Sequence, residues 1–329
     1  MKKAVLAIIV TLFAIAGVFS IFTGCSNASD NKVLIYTSSE EWRTEFFNEQ
    51  LNAKFPDYDI HIEYLSSGEQ ASRLAAEGKN TLNDIQFEFD YGNVNKVEEF
   101  LADLSSYDYS IYTDDSILPG KKLLPTLRHS GCIAINEDML NARGLQMPTS
   151  YEDLLKPEYK GLISMPNPKS SGTGYMFLKS LVNAWGEEEA LDYFDKLSDN
   201  VLHFTTSGSG PINDIIAGEV AIGFAMTSQA VVEIRNGVNI KIAYFEEGSP
   251  YTFYGMGVVE GRQDRKAVRE VFDYFVEVLV PMDKELFLPE KIYKDRDFVI
   301  ENYPTNVKYA DMTGNTADAK ELLLEKWEH

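Results

Sequence analysis

Cysteine is nearly absent: the 329 residues hold two, Cys25 and Cys132. That excludes a disulfide-stapled scaffold and a four-cysteine zinc site. Histidine is scarce and scattered, at positions 61, 129, 203 and 329, so a His-rich metal centre lacks material. Bases are outnumbered, with 30 Lys and Arg against 51 Asp and Glu, for a net charge of −21. A chain so acidic lacks the basic surface that nucleic-acid phosphates require. Catalytic signatures are missing too. There is no Gly-x-Ser-x-Gly elbow, Gly-x-x-x-x-Gly-Lys loop, His-Glu-x-x-His helix or Cys-x-x-Cys pair. Carboxylate pairs such as Glu98-Glu99 are ordinary in an acidic chain. The sequence reads as a binder, not an enzyme, and calls for no cofactor or metal.

Beyond residue 25 no apolar run is long enough to cross a bilayer. Before it, Lys2 and Lys3 precede the apolar residues 4–21, the charged and apolar regions of a signal peptide. Phe22-Thr23-Gly24-Cys25 resembles the lipobox of bacterial lipoproteins, departing from it at Phe22, where Leu is usual. Residues 1–24 are then a lipoprotein signal peptide, Cys25 carries the lipid, and 25–31 is a polar tether. The alternative is an uncleaved anchor helix. Removing Lys2 and Lys3 with the leader takes the charge from −21 to −23. The expected location is extracytoplasmic, on the membrane by the lipid anchor only. Cys132 sits in the run Cys132-Ile133-Ala134-Ile135 and reads as a buried small hydrophobe.

The remaining 44% hydrophobic and 25% charged composition is that of a globular protein large enough for two domains. Short apolar runs at 33–36, 59–64, 84–85, 131–136 and 220–225 alternate with helical patterns. Trp42, Phe46, Phe47 and Leu51 share one helix face, residues 69–77 and 176–182 suit two more, and Val268, Val271, Phe272, Phe275, Val276 and Leu279 follow a helical stripe. Thr149 with Glu152 reads as a capping box opening a helix. Residues 101–124, rich in Ser, Tyr and Asp, read as surface connection. The alternation predicts an α/β fold with parallel sheets.

Three short turns rich in Ser, Thr or Gly each precede a predicted helix: Thr37-Ser38-Ser39, Ser170-Ser171-Gly172-Thr173-Gly174 and Thr205-Thr206-Ser207-Gly208-Ser209-Gly210. A helix start offers unpaired N–H groups and partial positive charge, to which hydroxyls add donors. Ordinary capping is the competing account; Ser38 with Glu41 satisfies a capping box by itself. The triple pattern favours convergence on one anionic ligand.

Several blocks in order carry a resemblance: Gly131-Cys132-Ile133-Ala134-Ile135-Asn136, Pro148-Thr149-Ser150-Tyr151-Glu152-Asp153-Leu154-Leu155, Pro157-Glu158-Tyr159-Lys160-Gly161, Asn167-Pro168-Lys169-Ser170-Ser171-Gly172-Thr173-Gly174-Tyr175, Ser207-Gly208-Ser209-Gly210 and Gly218-Glu219-Val220-Ala221-Ile222-Gly223. Over about residues 32 to 280 the chain resembles the extracellular solute-binding proteins of bacterial ABC importers, in the branch with ferric-ion, phosphonate, phosphosugar and thiamine binders. The resemblance implies a two-lobed periplasmic-binding-protein fold, two α/β domains joined by hinge strands with the ligand cleft between them. It places 32–128 plus roughly 250–290 in one lobe and 129–249 in the other, with 291–329 a candidate addition to the second. Crossings fall near 128–133 and 244–251. It implies a cleft lined by Thr37, Ser38, Ser39, Ser67, Asp90, Ser170, Ser171, Gly172, Thr173, Ser207, Gly208, Ser209, Gly210 and Tyr254. Ser66-Ser67-Gly68 joins these turns. Phe89-Asp90-Tyr91 stands where relatives often carry a Gly-rich loop, bringing an aromatic and an acid toward the cleft.

A monomer that captures a small polar solute and hands it to ABC permease subunits is the implied activity. A phosphoryl compound, such as a phosphonate or phosphosugar, ranks first, with Arg43, Arg73 and Lys169 as candidate cationic contacts. Ferric ion ranks second because the adjacent tyrosine pair of such binders is lacking; Tyr251 and Tyr254 come nearest. His61 and Glu63 share a strand face that reads as solvated rather than metal-binding. The negative field favours a zwitterion or cation, and Phe89, Tyr91, Tyr175 and Tyr254 suit a ring or a cation, which keeps thiamine and polyamines open. A ligand-sensing lipoprotein without transport is the alternative from another class.

Overall fold

The computed structural model describes residues 31–329. The leader and Cys25 lie outside the described residues. The first third runs β1 (Lys32–Thr37), α1 (Glu41–Lys54), β2 (Asp59–Tyr64), α2 (Ser67–Glu77) and β3 (Ile85–Asp90). After a stretch of 3₁₀ turns comes the long β4 (Leu124–Ile135), then α3 (Glu137–Ala142), β5 (Ile163–Pro166), α4 (Gly172–Trp185), α5 (Glu187–Ser198), β6 (Val201–Thr205) and α6 (Gly210–Ile216). Next are β7 (Ile222–Met226), α7 (Thr227–Arg235), β8 (Lys241–Ala243) and β9 (Tyr251–Val258). Finally α8 (Lys266–Tyr274) passes through a widened turn, Phe275–Leu279, into α9 (Val280–Leu286), and α10 (Ala317–Glu325) follows.

The strand order is β2-β1-β3-β9-β4-β7-β5-β6, with β8 also on β4. β1, β2 and β3 are parallel, as are β5, β6 and β7, while β9 runs antiparallel to β3 and β4. β4 belongs to both halves: Leu124 to Ser130 pair with β9, and Gly131 to Ile135 pair with β7. All twelve of its residues are buried. The chain is therefore an α/β protein of two lobes sharing one strand.

Each lobe has its own apolar core. Val33, Ile35, Phe47, Phe87, Val268, Val271 and Phe272 lie in one, and the helical stripe read over 268–279 faces it. Ile133, Ile163, Phe177, Phe194, Phe224 and Trp327 lie in the other. Burying a side chain of this size contributes about 1.5–3 kcal/mol, so each core carries its lobe.

Two local readings change. Residues 101–124 are not a surface connection throughout: Leu101, Ala102, Leu104, Tyr109, Tyr112 and Leu123 are buried. Their Ser and Asp neighbours form the turns between; Asp103 and Asp108, for instance, bond Ser105 and Ser110. The expected capping box at Thr149 is replaced by a turn one residue longer. Thr149 N and Oγ1 both donate to Asp153, at 2.8 and 2.9 Å, and Glu152–Leu155 forms only a 3₁₀ turn.

Candidate functional site

In an open α/β sheet, ligands collect beyond the carboxyl ends of parallel strands. Here those ends face one another across β4 and β9 and enclose a cavity of about 480 Å³. β1 delivers Ser38 and Glu40; β2 delivers Tyr64, Ser66 and Ser67; β3 delivers Glu88 and Asp90. From the other lobe, the turn after β5 brings Lys169, Ser170, Ser171, Gly172 and Thr173. The turn after β6 brings Ser207, Gly208 and Ser209, and β7 and α7 bring Met226 and Gln229. His129 and Tyr254, from the two central antiparallel strands, form the floor.

The structure thus brings together Ser38, Ser67, Asp90, Ser170, Ser171, Gly172, Thr173, Ser207, Gly208, Ser209 and Tyr254. Thr37, Ser39 and Gly210 do not line the cavity. Thr37 and Ser39 are fully buried, their hydroxyls 2.8 Å apart beneath the turn. Gly210 turns toward Thr205, where a Cβ would meet Thr205 Cβ at 2.4 Å.

The two lobes present different chemistry. In the first, hydroxyls are already engaged: Ser38 and Ser67 donate to the Glu88 carbonyl at 2.7 and 3.3 Å, and Ser67 Oγ accepts from Asp90 N. Ser38 is therefore no cap. α1 has Glu40 as its N-cap with no side-chain cap bond, whereas α2 has a reciprocal box between Ser66 and Glu69. That β3 carbonyl is reachable because a bulge breaks the β3–β9 register between Gln86 and Phe89. Glu88 sits there at φ 50°, a left-handed conformation uncommon for glutamate, so the strand kinks at the cavity.

Beneath this wall Arg43 is completely buried. Its Nε and Nη2 donate to Asp283 at 2.9 and 2.8 Å, its Nη1 to Glu40 at 3.0 Å, and its Nη2 also to Glu88. Arg43 is thus a structural counter-ion rather than a ligand contact. Burial pushes the Glu40 carboxyl up, but Arg43, by its charge and its hydrogen bond, outweighs it and holds it below the usual range. At Glu88 burial wins, and the carboxyl is raised despite Arg43. Asp90 is raised by burial too, opposed by Lys320, Gly92 N–H at 2.7 Å and Thr252 Oγ1 at 3.2 Å. Tyr254 stays a phenol: burial, then Asp90, Glu88 and Glu40, push it well up. His129 is neutral, lowered to about 4 by burial, with Nε2 2.8 Å from Ser228 Oγ.

The second lobe offers donors. Ser171 caps α4, and its Oγ accepts from Gly174 N at a long 3.4 Å. The N–H groups of Gly172 and Thr173 open the fourteen-residue α4 and have no intrahelical partner. The Ser207 and Ser209 hydroxyls lie 3.0 Å apart. Gly208 is what lets the two turns meet: a Cβ there would sit 2.2 Å from Thr173 Oγ1 and 3.7 Å from Ser171 Oγ. The turns after β5 and β6 therefore form one surface of hydroxyls and amides, with Lys169 at its rim.

Other candidates sit elsewhere. Arg73 pairs with Glu63 and Glu77 over the Tyr36 ring. Phe89 is buried, and Tyr91 donates to the Ser116 carbonyl, so this segment gives the cavity an acid but no aromatic. Tyr251 packs on Arg128 and Tyr309, on the other face of β9 from Tyr254. His61 pairs with Asp59 on the exposed β2 edge, and no cluster of three or more His, Cys, Asp or Glu suited to a metal occurs among the described residues. Cys132 is buried, with its thiol pushed up to about 12. Glu40, Tyr64, Glu88, His129 and Lys320 line the cavity without having been singled out for it. Only the position of Glu40 and Glu88 just beside predicted turns gave a local signal.

No helix among the described residues is long and apolar enough to cross a membrane. Residues 124–278 match the family of bacterial extracellular solute-binding proteins. The spermidine/putrescine-binding periplasmic protein of Escherichia coli is 21% identical over 276 residues, 79% of this chain and 77% of that one. The periplasmic binding protein AfuA of Actinobacillus pleuropneumoniae, solved with fructose-6-phosphate bound, superposes with a TM-score of 0.76 at 21% identity. The match covers 90% of this chain and 97% of that one. Iron-bound HitA of Pseudomonas aeruginosa gives 0.76 at 14% identity, over 90% and 97%. At such identities the structural likenesses speak for the fold, two lobes about a cleft. With the family match over the shared strand and most of the second lobe, the chain resembles the bacterial extracellular solute-binding proteins and carries the two-lobed fold of the periplasmic binding proteins.

Proposed function

We propose that this protein captures a small solute bearing a phosphoryl group, closes its lobes over it, and delivers it to an ABC permease. The observation that carries this reading is the joined surface of Ser171, Gly172, Thr173, Ser207, Gly208 and Ser209, with Lys169 at its rim. It supplies hydroxyl and amide donors in several directions, which suits a tetrahedral anion. In this proposal residues 32–128 and roughly 250–290 form one lobe and 129–249 the other, with Cys25 as the lipidated residue and a monomer as the working unit. Closure brings the hydroxyl surface to the first lobe, so ligand contacts made by both lobes shift the population toward the closed form.

A second reading has its own support. Glu40, Asp90 and Tyr254 on the opposite wall suit a cationic ligand such as a polyamine or thiamine. Ferric ion has less support, because Tyr251 and Tyr254 face opposite sides of β9 and Tyr254 is held protonated. A thermal-shift screen of residues 30–329 tests the choice, using phosphonates, fructose 6-phosphate, fructose, thiamine, spermidine and Fe(III)–citrate. A ligand at about 100 times its Kd adds roughly 2.7 kcal/mol and raises the midpoint by a few degrees. The phosphoryl reading expects shifts with phosphoryl compounds and none with fructose. A shift with spermidine or thiamine alone replaces it with the cationic reading.

A further inference from the structure

Residues 311–329 do not end as a loose tail. They pack on the second lobe by many contacts. Leu323 and Trp327 are buried in its core, and the Trp327 ring lies 5.3 Å from Phe194 and 6.0 Å from Phe204. Asn183 Nδ2 donates to the carbonyls of Asp311 and Thr313 at 2.9 and 3.0 Å, and Asn167 Nδ2 donates to the His329 carbonyl at 3.0 Å. Lys326 pairs with Glu187, and His329 Nε2 lies 2.8 Å from Asp195.

The same segment also touches the first lobe, where no hydrogen bond or ion pair among the described residues joins it. α10 lies along the 3₁₀ segment Tyr91–Lys96 that follows β3. A Cβ at Gly92 would stand 3.7 Å from Asn315 Oδ1. Between α10 and α2 is an open groove of about 590 Å³, bordered by Gly68, Ser72 and Lys96 on one side and Lys320 and Leu324 on the other. Lys320 lines both this groove and the ligand cavity. Its Nζ lies 4.9 Å from the centre of the Tyr175 ring, and its charge is felt at Asp90 across the lobes.

Anchoring on the second lobe is by a buried tryptophan, hydrogen bonds and ion pairs; on the first lobe it is by the approach of α10 to residues 91–96 alone. A buried tryptophan does not leave its core at each ligand cycle, whereas a contact without hydrogen bonds or a shared apolar core breaks readily. We infer that residues 311–329 are a latch carried by the second lobe: α10 rests on residues 91–96 and holds the lobes together, and Lys320, standing beside Asp90, contacts the anionic group of a captured ligand. The ligand contact rests on the phosphoryl reading; the latch itself does not.

Two arms on the full chain test this. Hydrogen exchange of the ligand-free protein compares wild type with Lys320→Glu, which sets a second acid beside Asp90. The latch expects faster exchange in residues 91–96, with α4, α5 and residues 323–327 unchanged. Unchanged exchange in 91–96, or loosening of α4 and α5 along with it, overturns the latch. Titration with fructose 6-phosphate expects Lys320→Met to raise Kd by about tenfold or more, with Lys320→Arg restoring most of it. An unchanged Kd in Lys320→Met removes the ligand contact. Failure of the wild type to bind fructose 6-phosphate counts against the phosphoryl reading and the ligand contact, and leaves the latch to the exchange result.

Discussion

Arg43→Met probes the ground on which the acidic wall stands. The guanidinium is wholly buried and serves three carboxylates, of Asp283, Glu88 and Glu40; Asp283 and Glu88 are each only 3% exposed. Lys284 follows Asp283, fully buried, with its ammonium pushed down to about 8 by burial. It makes no hydrogen bond in the described structure and stands in for Arg43 poorly. Methionine fills much of the volume, so the loss is mainly electrostatic. Removing one partner of a buried ionic network costs about 3–5 kcal/mol near neutral pH. The sign of the pH dependence follows. Without Arg43 the carboxyl of Glu88, already raised by burial, rises further above its unfolded value. A raised acid favours folding while protonated and loses that contribution as pH climbs through its folded pKa. The deficit is therefore larger at neutral pH and shrinks as pH falls toward the carboxylate range, by up to about 1.4 kcal/mol per pH unit while Glu88 titrates. Urea unfolding of wild type and variant at several pH values measures it. A deficit below about 1 kcal/mol at neutral pH, or one flat across the range, refutes the claim that Arg43 is the counter-ion of this wall.

Three other perturbations separate binding from folding. Ser171→Ala with Ser209→Ala should weaken capture of a phosphoryl ligand by more than about 1 kcal/mol, with a loss of stability no larger than the roughly 1 kcal/mol of the Ser171 cap on α4, as calorimetry of both will show. Unchanged affinity would leave Ser171 a cap alone and refute the contact. Gly208→Ala places a methyl 2.2 Å from Thr173 Oγ1 and should part the two turns, abolishing binding in a protein whose circular dichroism is unchanged. Cys25→Ala should move the protein from the membrane fraction to the soluble one or leave it unprocessed; unchanged processing and anchoring would defeat the lipoprotein proposal.

Much of this architecture is legible in the sequence, for physical reasons that differ by element. The apolar run in β7 can only be a strand covered on both faces, and it is fully buried. The hydroxyl-rich turns after β5 and β6 announce themselves by composition, because a helix start that admits a ligand needs glycine and short donors together. Residues 101–124 mislead because their polar turns outnumber the buried Leu104, Tyr109 and Tyr112 between them. Ser38 misleads for a different reason: its spacing to Glu41 matches a capping box, but the bulge at Glu88 offers its hydroxyl a nearer carbonyl. Lys320 is invisible locally, and Glu88 shows only by standing beside a predicted turn. Their places in the cavity come from a bulge and from a segment returning nearly 150 residues after the turn it faces.

Capture in a closing cleft is tested most directly by small-angle X-ray scattering of residues 30–329, with and without the compound giving the largest thermal shift. The account predicts a smaller radius of gyration at saturation, and no such contraction in Gly208→Ala. A saturated wild-type protein with an unchanged radius of gyration would contradict capture by lobe closure.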